Sequence, residues 1–128
     1  MWAQRTTDAY ERDAKRYDKK HPRELAAVHE NLRQYFESLQ SGIHPMQVKA
    51  GYLHPEPQGV VAIDQKGRGK SLAETRLYVF PDVDSETLFL IALGDKRSQK
   101  DDIQTCRVFM NELSKQKESR DEDQQETV

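Results

Sequence analysis

The pattern of apolar and polar positions has its clearest feature in the six-residue apolar run from Leu88 to Leu93. A run of this length without polar residues predicts a strand that is buried on both faces. Gly94 ends the run, and three polar residues follow it, namely Asp95, Lys96 and Arg97. Ser98 then begins a helix, with Asp101 at capping-box spacing and Asp102 beside it, where a negative charge suits the positive end of the helix dipole. The pattern therefore predicts a central strand that brings a Lys-Arg pair to the start of a helix.

Two amphipathic segments precede this strand. The first, with Thr6 or Thr7 as its N-cap, places three residues at helical spacing: Tyr10, Ala14 and Tyr17. The second begins at Pro22 and carries an apolar stripe with gaps of 3, 4, 4 and 3 residues, formed by Leu25, Val28, Leu32, Phe36 and Leu39. Gly42 and Pro45 end it. The two segments predict a helical hairpin packed on a sheet.

The remaining strands are short. Trp2–Thr6 can form a first strand, and Val60–Asp64 and Thr75–Phe80 precede the central strand. The proline-rich stretch from Ile43 to Gln58 predicts an irregular loop, with at most a brief strand at Gln47–Ala50. The last helix is expected to end near Lys115, because the residues from Glu118 onward have no apolar periodicity.

The order strand, helix, helix, three strands, helix predicts an α+β fold. We expect a small, mainly antiparallel sheet of about four strands, covered on one face by the helical hairpin and the C-terminal helix. The expected domain spans residues 1–115, and residues 116–128 are expected to be a disordered acidic tail. Residues 1–110 carry 17 basic and 16 acidic residues, whereas residues 111–128 carry 3 and 6. The body is therefore nearly neutral in charge.

Composition excludes several classes of protein. There is no apolar window long enough to span a membrane and no signal-peptide pattern, so we expect a cytoplasmic protein without a membrane partner.

Three further features bear on possible chemical sites. The single cysteine, Cys106, lies on the apolar face of the last helix and is expected in the core. The segment DQKGRGKS resembles a phosphate-binding loop, but Asp64 stands where the first glycine is required. The histidines lack metal-ligand spacing, and His54 is either an exposed loop residue or a proton carrier.

Taken together, the helical hairpin, the arginine in ETRLYVF and the strand ending in LGDKRSQKDDI resemble the RelE/ParE superfamily of bacterial toxins. The resemblance covers residues 2–114, and its last segment is similar to members called addiction-module killer proteins. It implies a type II toxin–antitoxin system with a cognate antitoxin as partner. RelE-type members are implied to be ribosome-dependent mRNA endonucleases that need no cofactor or metal. ParE-type members share the fold and inhibit DNA gyrase.

The resemblance also implies roles for individual residues. Arg76, Lys96 and Arg97 would be the catalytic cations that stabilise the transition state of RNA cleavage through 2′-OH attack. Four further residues would bind RNA or phosphate: Lys66, Arg68, Lys70 and Tyr78. Other interpretations stay open, because Arg76 can equally pair with Asp95 or Glu74, Tyr78 can belong to the core, and the loop cations can be simply solvated. The whole chain can likewise be a gyrase inhibitor or an inactive protein-binding module, since its body is nearly neutral and no general acid is obvious.

Overall fold

A computed structural model of the protein describes residues 1–69 and 71–126. Its strands are β1 (Ala3–Thr6), β2 (Leu53–Pro55), β3 (Val61–Ile63), β4 (Arg76–Asp82) and β5 (Thr87–Gly94). Its helices are α1 (Asp8–Lys20), α2 (Pro22–Gln40) and α3 (Gln99–Glu126). This confirms the α+β class and the predicted order of the helices. Lys70, one of the predicted phosphate-binding residues, lies outside the described residues.

The described residues form one sheet of five strands in the order β1-β5-β4-β3-β2. β1 pairs with β5 in parallel, and the other pairs are antiparallel. The fifth strand is β2, which the sequence did not predict at this position. A 3₁₀ turn at Pro45–Gln47 includes the first residue of the predicted strand Gln47–Ala50, and the chain first pairs as a strand at Leu53. The Leu53 amide donates to the Ala50 carbonyl at 3.1 Å and closes a turn, so the strand pair with β3 can begin only after that turn.

Helices cover both faces of the sheet, so the expected cover on one face is wrong. On one side α1 and α2 pack on a core that includes Leu77, Val79 and Leu93. On the other side α3 contributes Cys106 and Met110 to a second core. The reason is that β4 and β5 are apolar at successive positions, and successive side chains point to opposite faces.

Beyond the end of β1, two side chains from the N-cap and the helix α1 take over the hydrogen bonds that a longer β1 would make to β5. Thr7 is the N-cap of α1, since its hydroxyl oxygen accepts a bond from the Tyr10 amide at 3.0 Å. The same hydroxyl donates to the carbonyl of Ile91 at 2.7 Å, and the buried Asp13 carboxylate accepts the Leu93 amide at 3.2 Å. The edge of β5 therefore keeps its backbone hydrogen bonds past the last residue of β1.

α3 continues to Glu126 instead of ending near Lys115, so much of the segment that we expected to be disordered is helical. Lys117 binds this extension to the body, because its Nζ lies 2.7 Å from Asp82 Oδ1 and 3.2 Å from Asp84 Oδ2. Residues 127 and 128 of the predicted tail lie outside the described residues. Within the described part of the chain, no helix is long and apolar enough to cross a membrane.

Candidate functional site

The predicted site residues come from segments that leave the sheet at one end. β3 ends at Ile63, β4 begins at Arg76 and β5 ends at Gly94. The register pairs Arg76 with Gly94, and the neighbouring pairs join Leu77 to both Ile63 and Leu93. We call this the loop end of the sheet, defined by Ile63, Arg76 and Gly94. The loop that carries Lys66 and Arg68 and the turn that carries Lys96 and Arg97 both begin there.

Arg76 lies between two carboxylates at the loop end. Its Nε is 3.3 Å from Glu74 Oε1, and a second guanidinium nitrogen, Nη1, is 3.7 Å from Glu56 Oε1. The side chain is 23% exposed, so solvent still reaches it. The contact with Glu74 is one of the ion pairs that the sequence left open, whereas Asp95 is used elsewhere. The positive charge of Arg76 is thus largely balanced in the free protein.

Lys96 and Arg97 stand on a rigid turn before α3. The Asp95 carboxylate accepts the backbone amides of Arg97 at 2.9 Å and Ser98 at 3.1 Å. Both basic side chains are exposed, and no described carboxylate is within ion-pair distance of either one. These two cations are therefore available to an anionic ligand.

The loop after β3 is fastened to α2 by Asn31, a residue that sequence analysis missed. The Asn31 side chain is 1% exposed and donates to the carbonyls of Asp64 at 2.8 Å and Lys66 at 3.2 Å. Its oxygen accepts a bond from Arg68 Nε at 2.8 Å. Arg68 is therefore held against α2, while Lys66 remains exposed. The signal in the sequence was an asparagine three residues after Val28, inside the apolar stripe of the helix.

Tyr78 belongs to the core, and its predicted role in binding RNA is wrong. The residue is fully buried on the α3 side of the sheet, where Cys106 and Met110 are part of the same cluster. Its hydroxyl has no hydrogen-bond partner among the described residues, and burial raises its pKa well above the usual range. An RNA base cannot stack on a ring that α3 already covers.

His54 and Asp64 form a close pair at the loop end. His54 Nε2 is 2.6 Å from Asp64 Oδ2, with 34% of the histidine side chain and 14% of the aspartate side chain exposed. The register places His54 opposite Ala62 on β3, and Asp64 follows two residues later, so both side chains lie on the α3 side of the sheet. The sequence predicts His54 as an exposed loop residue or a proton carrier, and it does not predict the aspartate partner.

Asp102, like Asp64, is an acidic residue near the loop end that the sequence does not predict as a site residue. It is 8% exposed, and its Oδ2 accepts the Ser98 hydroxyl at 2.7 Å. Burial raises the pKa of this carboxyl to about 6; the Ser98 hydrogen bond lowers it, and the nearby Asp13 raises it again. We had assigned Asp102 only to the helix dipole. Its enclosure by α1 and the end of β5 depends on packing between distant segments, which no local pattern reports.

No group of three or more His, Cys, Asp or Glu side chains is placed to hold a metal ion in the part of the chain that the structure describes. Comparison with known proteins found no matching family model, no matching curated protein and no matching solved structure. The relationship to the RelE/ParE superfamily therefore stays a prediction from the residues.

Proposed function

We propose that the protein is a RelE-like toxin, a ribosome-dependent mRNA endonuclease that cleaves RNA by 2′-OH attack and is neutralised by an antitoxin. The observation that supports this most directly is the gathering of basic residues at the loop end. Three separate segments of the chain bring cations to the loop end: the loop after β3 with Lys66, the start of β4 with Arg76, and the turn after β5 with Lys96 and Arg97. A scissile phosphate bound there would meet cations that stabilise the negative charge of the transition state.

The cations differ in how they would serve this reaction. Lys96 and Arg97 are exposed on a turn whose backbone is fixed by Asp95, so they can bind phosphate without leaving an ion-pair partner in the described part of the chain. Arg76 must exchange Glu56 and Glu74 for a phosphate oxygen. The guanidinium of Arg76 is then paired both in the free protein and in the RNA complex. Arg76 can bind RNA only when the carboxylates of Glu56 and Glu74 move away from it.

The proposal includes partners and a compartment. The substrate would be mRNA on the ribosome, and the reaction would take place in the cytoplasm. The cognate antitoxin would lie across the loop end and cover Lys96 and Arg97, since exposed cations without an ion-pair partner among the described residues favour an acidic binding segment. The gene for such an antitoxin is expected beside the gene for this chain, and its product should co-purify with the protein.

A second candidate function is favoured by two specific observations. The charge of Arg76 is balanced by Glu56 and Glu74, and Tyr78 is in the core instead of on the surface. Both features suit a ParE-like gyrase inhibitor, or a toxin-like domain that has lost cleavage and only binds a protein. In these alternatives the loop end is a protein contact surface.

Induced expression in a bacterial host without the neighbouring gene tests the proposal. Growth and total mRNA are followed, with primer extension to detect new 5′ ends. Arrest with cuts inside translated codons supports the endonuclease; DNA damage with intact mRNA would select the gyrase inhibitor; normal growth would select the binding module.

A matched pair of variants then tests the site. Lys96→Ala with Arg97→Ala should abolish the cuts, because it removes the two exposed cations of the turn, which have no ion-pair partner among the described residues. Arg12→Ala with Lys15→Ala makes the same change of charge on exposed positions of α1 and should leave cleavage unchanged. Equal cleavage by both double variants would exclude the Lys-Arg pair from the site.

A further inference from the structure

The closest contact between ionisable side chains at the loop end does not involve a predicted cation. It joins His54 Nε2 to Asp64 Oδ2 at 2.6 Å. Asp64 is held firmly, because its Oδ1 accepts the Lys66 amide at 2.7 Å and its backbone carbonyl accepts the Asn31 side chain at 2.8 Å. Both the side chain and the backbone of Asp64 are therefore held in place, and its carboxylate in turn orients the imidazole ring of His54.

The carboxylate also determines the state of the ring. An ionised carboxylate only accepts hydrogen bonds, so the nitrogen that faces it, Nε2, must carry a proton. In the neutral imidazole the other nitrogen, Nδ1, then has the free lone pair. A histidine oriented in this way by a buried or half-buried aspartate is suited to take a proton from a hydroxyl group.

The surroundings of the pair match a reaction at phosphate. Ile63 pairs with Leu77, so the next positions outward, Asp64 and Arg76, are neighbours at the ends of β3 and β4. Glu56, two residues after His54 on the same face, contacts Arg76 at 3.7 Å. Asp64, which contacts His54, thus has Arg76 beside it on β4. It also accepts the backbone amide of Lys66, so a cation on each side lies next to the pair. About a third of the His54 side chain is exposed, so a substrate hydroxyl can reach it.

We infer that His54 is the general base of the proposed nuclease and that Asp64 is its positioning residue; this inference rests on the proposed function. His54 Nδ1 takes the proton of the 2′-OH, and the 2′-oxygen forms a bond to phosphorus. The bond between phosphorus and the 5′-oxygen breaks, and that oxygen leaves with the electron pair and takes a proton from solvent. The products are a 2′,3′-cyclic phosphate and a free 5′-hydroxyl.

The test uses the purified full chain with ribosomes carrying a defined mRNA. His54→Ala should lower kcat by about 10²- to 10⁴-fold, the usual contribution of a general base. Added imidazole should restore part of the activity, because it supplies the missing base in the space left by the ring. His44→Ala is the control, since His44 is an exposed histidine in the loop that follows the far end of α2. That variant should cleave like the original protein and should not respond to imidazole.

Asp64→Asn tests the positioning role separately. It should lower kcat while KM stays unchanged, because the amide no longer holds the ring in the required tautomer but the RNA contacts remain. His54→Gln, which preserves a polar side chain of similar reach, guards against loss of fold, and thermal unfolding compares every variant with the original chain.

The two proposals fail in distinguishable ways. If the original protein does not cleave ribosome-bound mRNA, the proposed function and the role of His54 are both overturned. If the original protein cleaves and the folded His54 variants cleave equally fast, only the assignment of the base is overturned. Cleavage that is lost in His54→Ala and His54→Gln alike, with partial recovery in imidazole for the first, supports the inference.

Discussion

Gly94 lies directly against Asp102: a Cβ atom at position 94 would come within 2.0 Å of Asp102 Oδ2 and 2.1 Å of Ser98 Oγ. No side chain can occupy that space while the two oxygens stay hydrogen-bonded to each other at 2.7 Å. The last residue of β5 is thus required to be glycine because of the first turn of α3. This contact fixes where the helix begins relative to the sheet, and so fixes the turn that carries Lys96 and Arg97.

Gly94→Ala should therefore destabilise the fold. Overpacking at a closed position costs about 1–3 kcal/mol, and here the atoms in the way are anchored polar groups. Urea unfolding measures the change. Gly51→Ala is the matched control, because a Cβ there would meet only Lys66 Cδ at the ordinary distance of 3.9 Å. Equal stability of the two variants would show that α3 can shift at no cost.

Asp102 should make stability depend on pH. Its pKa in the folded protein, about 6, is above the ordinary value of 3.8, so the folded state holds the proton more tightly than the unfolded state. The stability from this group is therefore present below about pH 4 and is lost as the pH rises through 6. Asp102→Asn keeps an acceptor for Ser98 and should raise the free energy of unfolding at pH 7 by about 1–3 kcal/mol. Urea unfolding of both proteins at pH 4 and pH 7 checks this, and an equal gain at both values would contradict it.

Much of the fold was predictable because local patterns decide it. Each of three local patterns predicts the element in which it lies: the apolar stripe predicts α2, the run from Leu88 to Leu93 predicts β5, and the N-cap threonine predicts the start of α1. The sequence did not predict what depends on distant segments meeting: the bond from Asn31 to the loop after β3, the pairing of His54 with Asp64, and the burial of Tyr78 under α3. Tyr78 alternates with Leu77 and Val79 as a surface residue would, and only the second helical layer makes it internal.

Asn31→Leu should release the loop after β3. The change removes the donor for two backbone carbonyls and the acceptor for Arg68, and unpaired buried polar groups cost about 1–3 kcal/mol each. Limited proteolysis should cut within residues 65–69 faster than in the original protein. Gln34→Leu, one turn further along α2 at a half-buried position, is the control. An unchanged cleavage rate would mean that the loop is held by other contacts.

Lys117→Ala should loosen the extension of α3. Burial raises the pKa of Asp82, but hydrogen bonds from Lys117 and Ser85 outweigh it, and the pKa is lowered overall. The stability from this pair is therefore present above about pH 4 and is lost as the pH falls through the lowered pKa. At pH 7 the variant should show faster amide hydrogen exchange in residues 115–126 than Lys115→Ala, which removes an exposed lysine two residues earlier. At low pH, where the Asp82 carboxyl is protonated, the difference between the two variants should disappear.

The carboxylates around Arg76 should limit RNA binding. Glu56→Gln with Glu74→Gln removes the two groups that compete with phosphate for this arginine, so affinity for a short RNA should rise and its salt dependence should steepen. Fluorescence anisotropy at several salt concentrations measures both. The matched control is Glu30→Gln with Glu37→Gln, which removes the two carboxylates that pair with Arg33 on the exposed face of α2. Because both double variants change the net charge equally, only a larger gain at Arg76 counts as support, and Arg76→Ala in the first variant should abolish that gain. An equal gain in both double variants would mean that RNA responds to overall charge and that Arg76 has only a structural role.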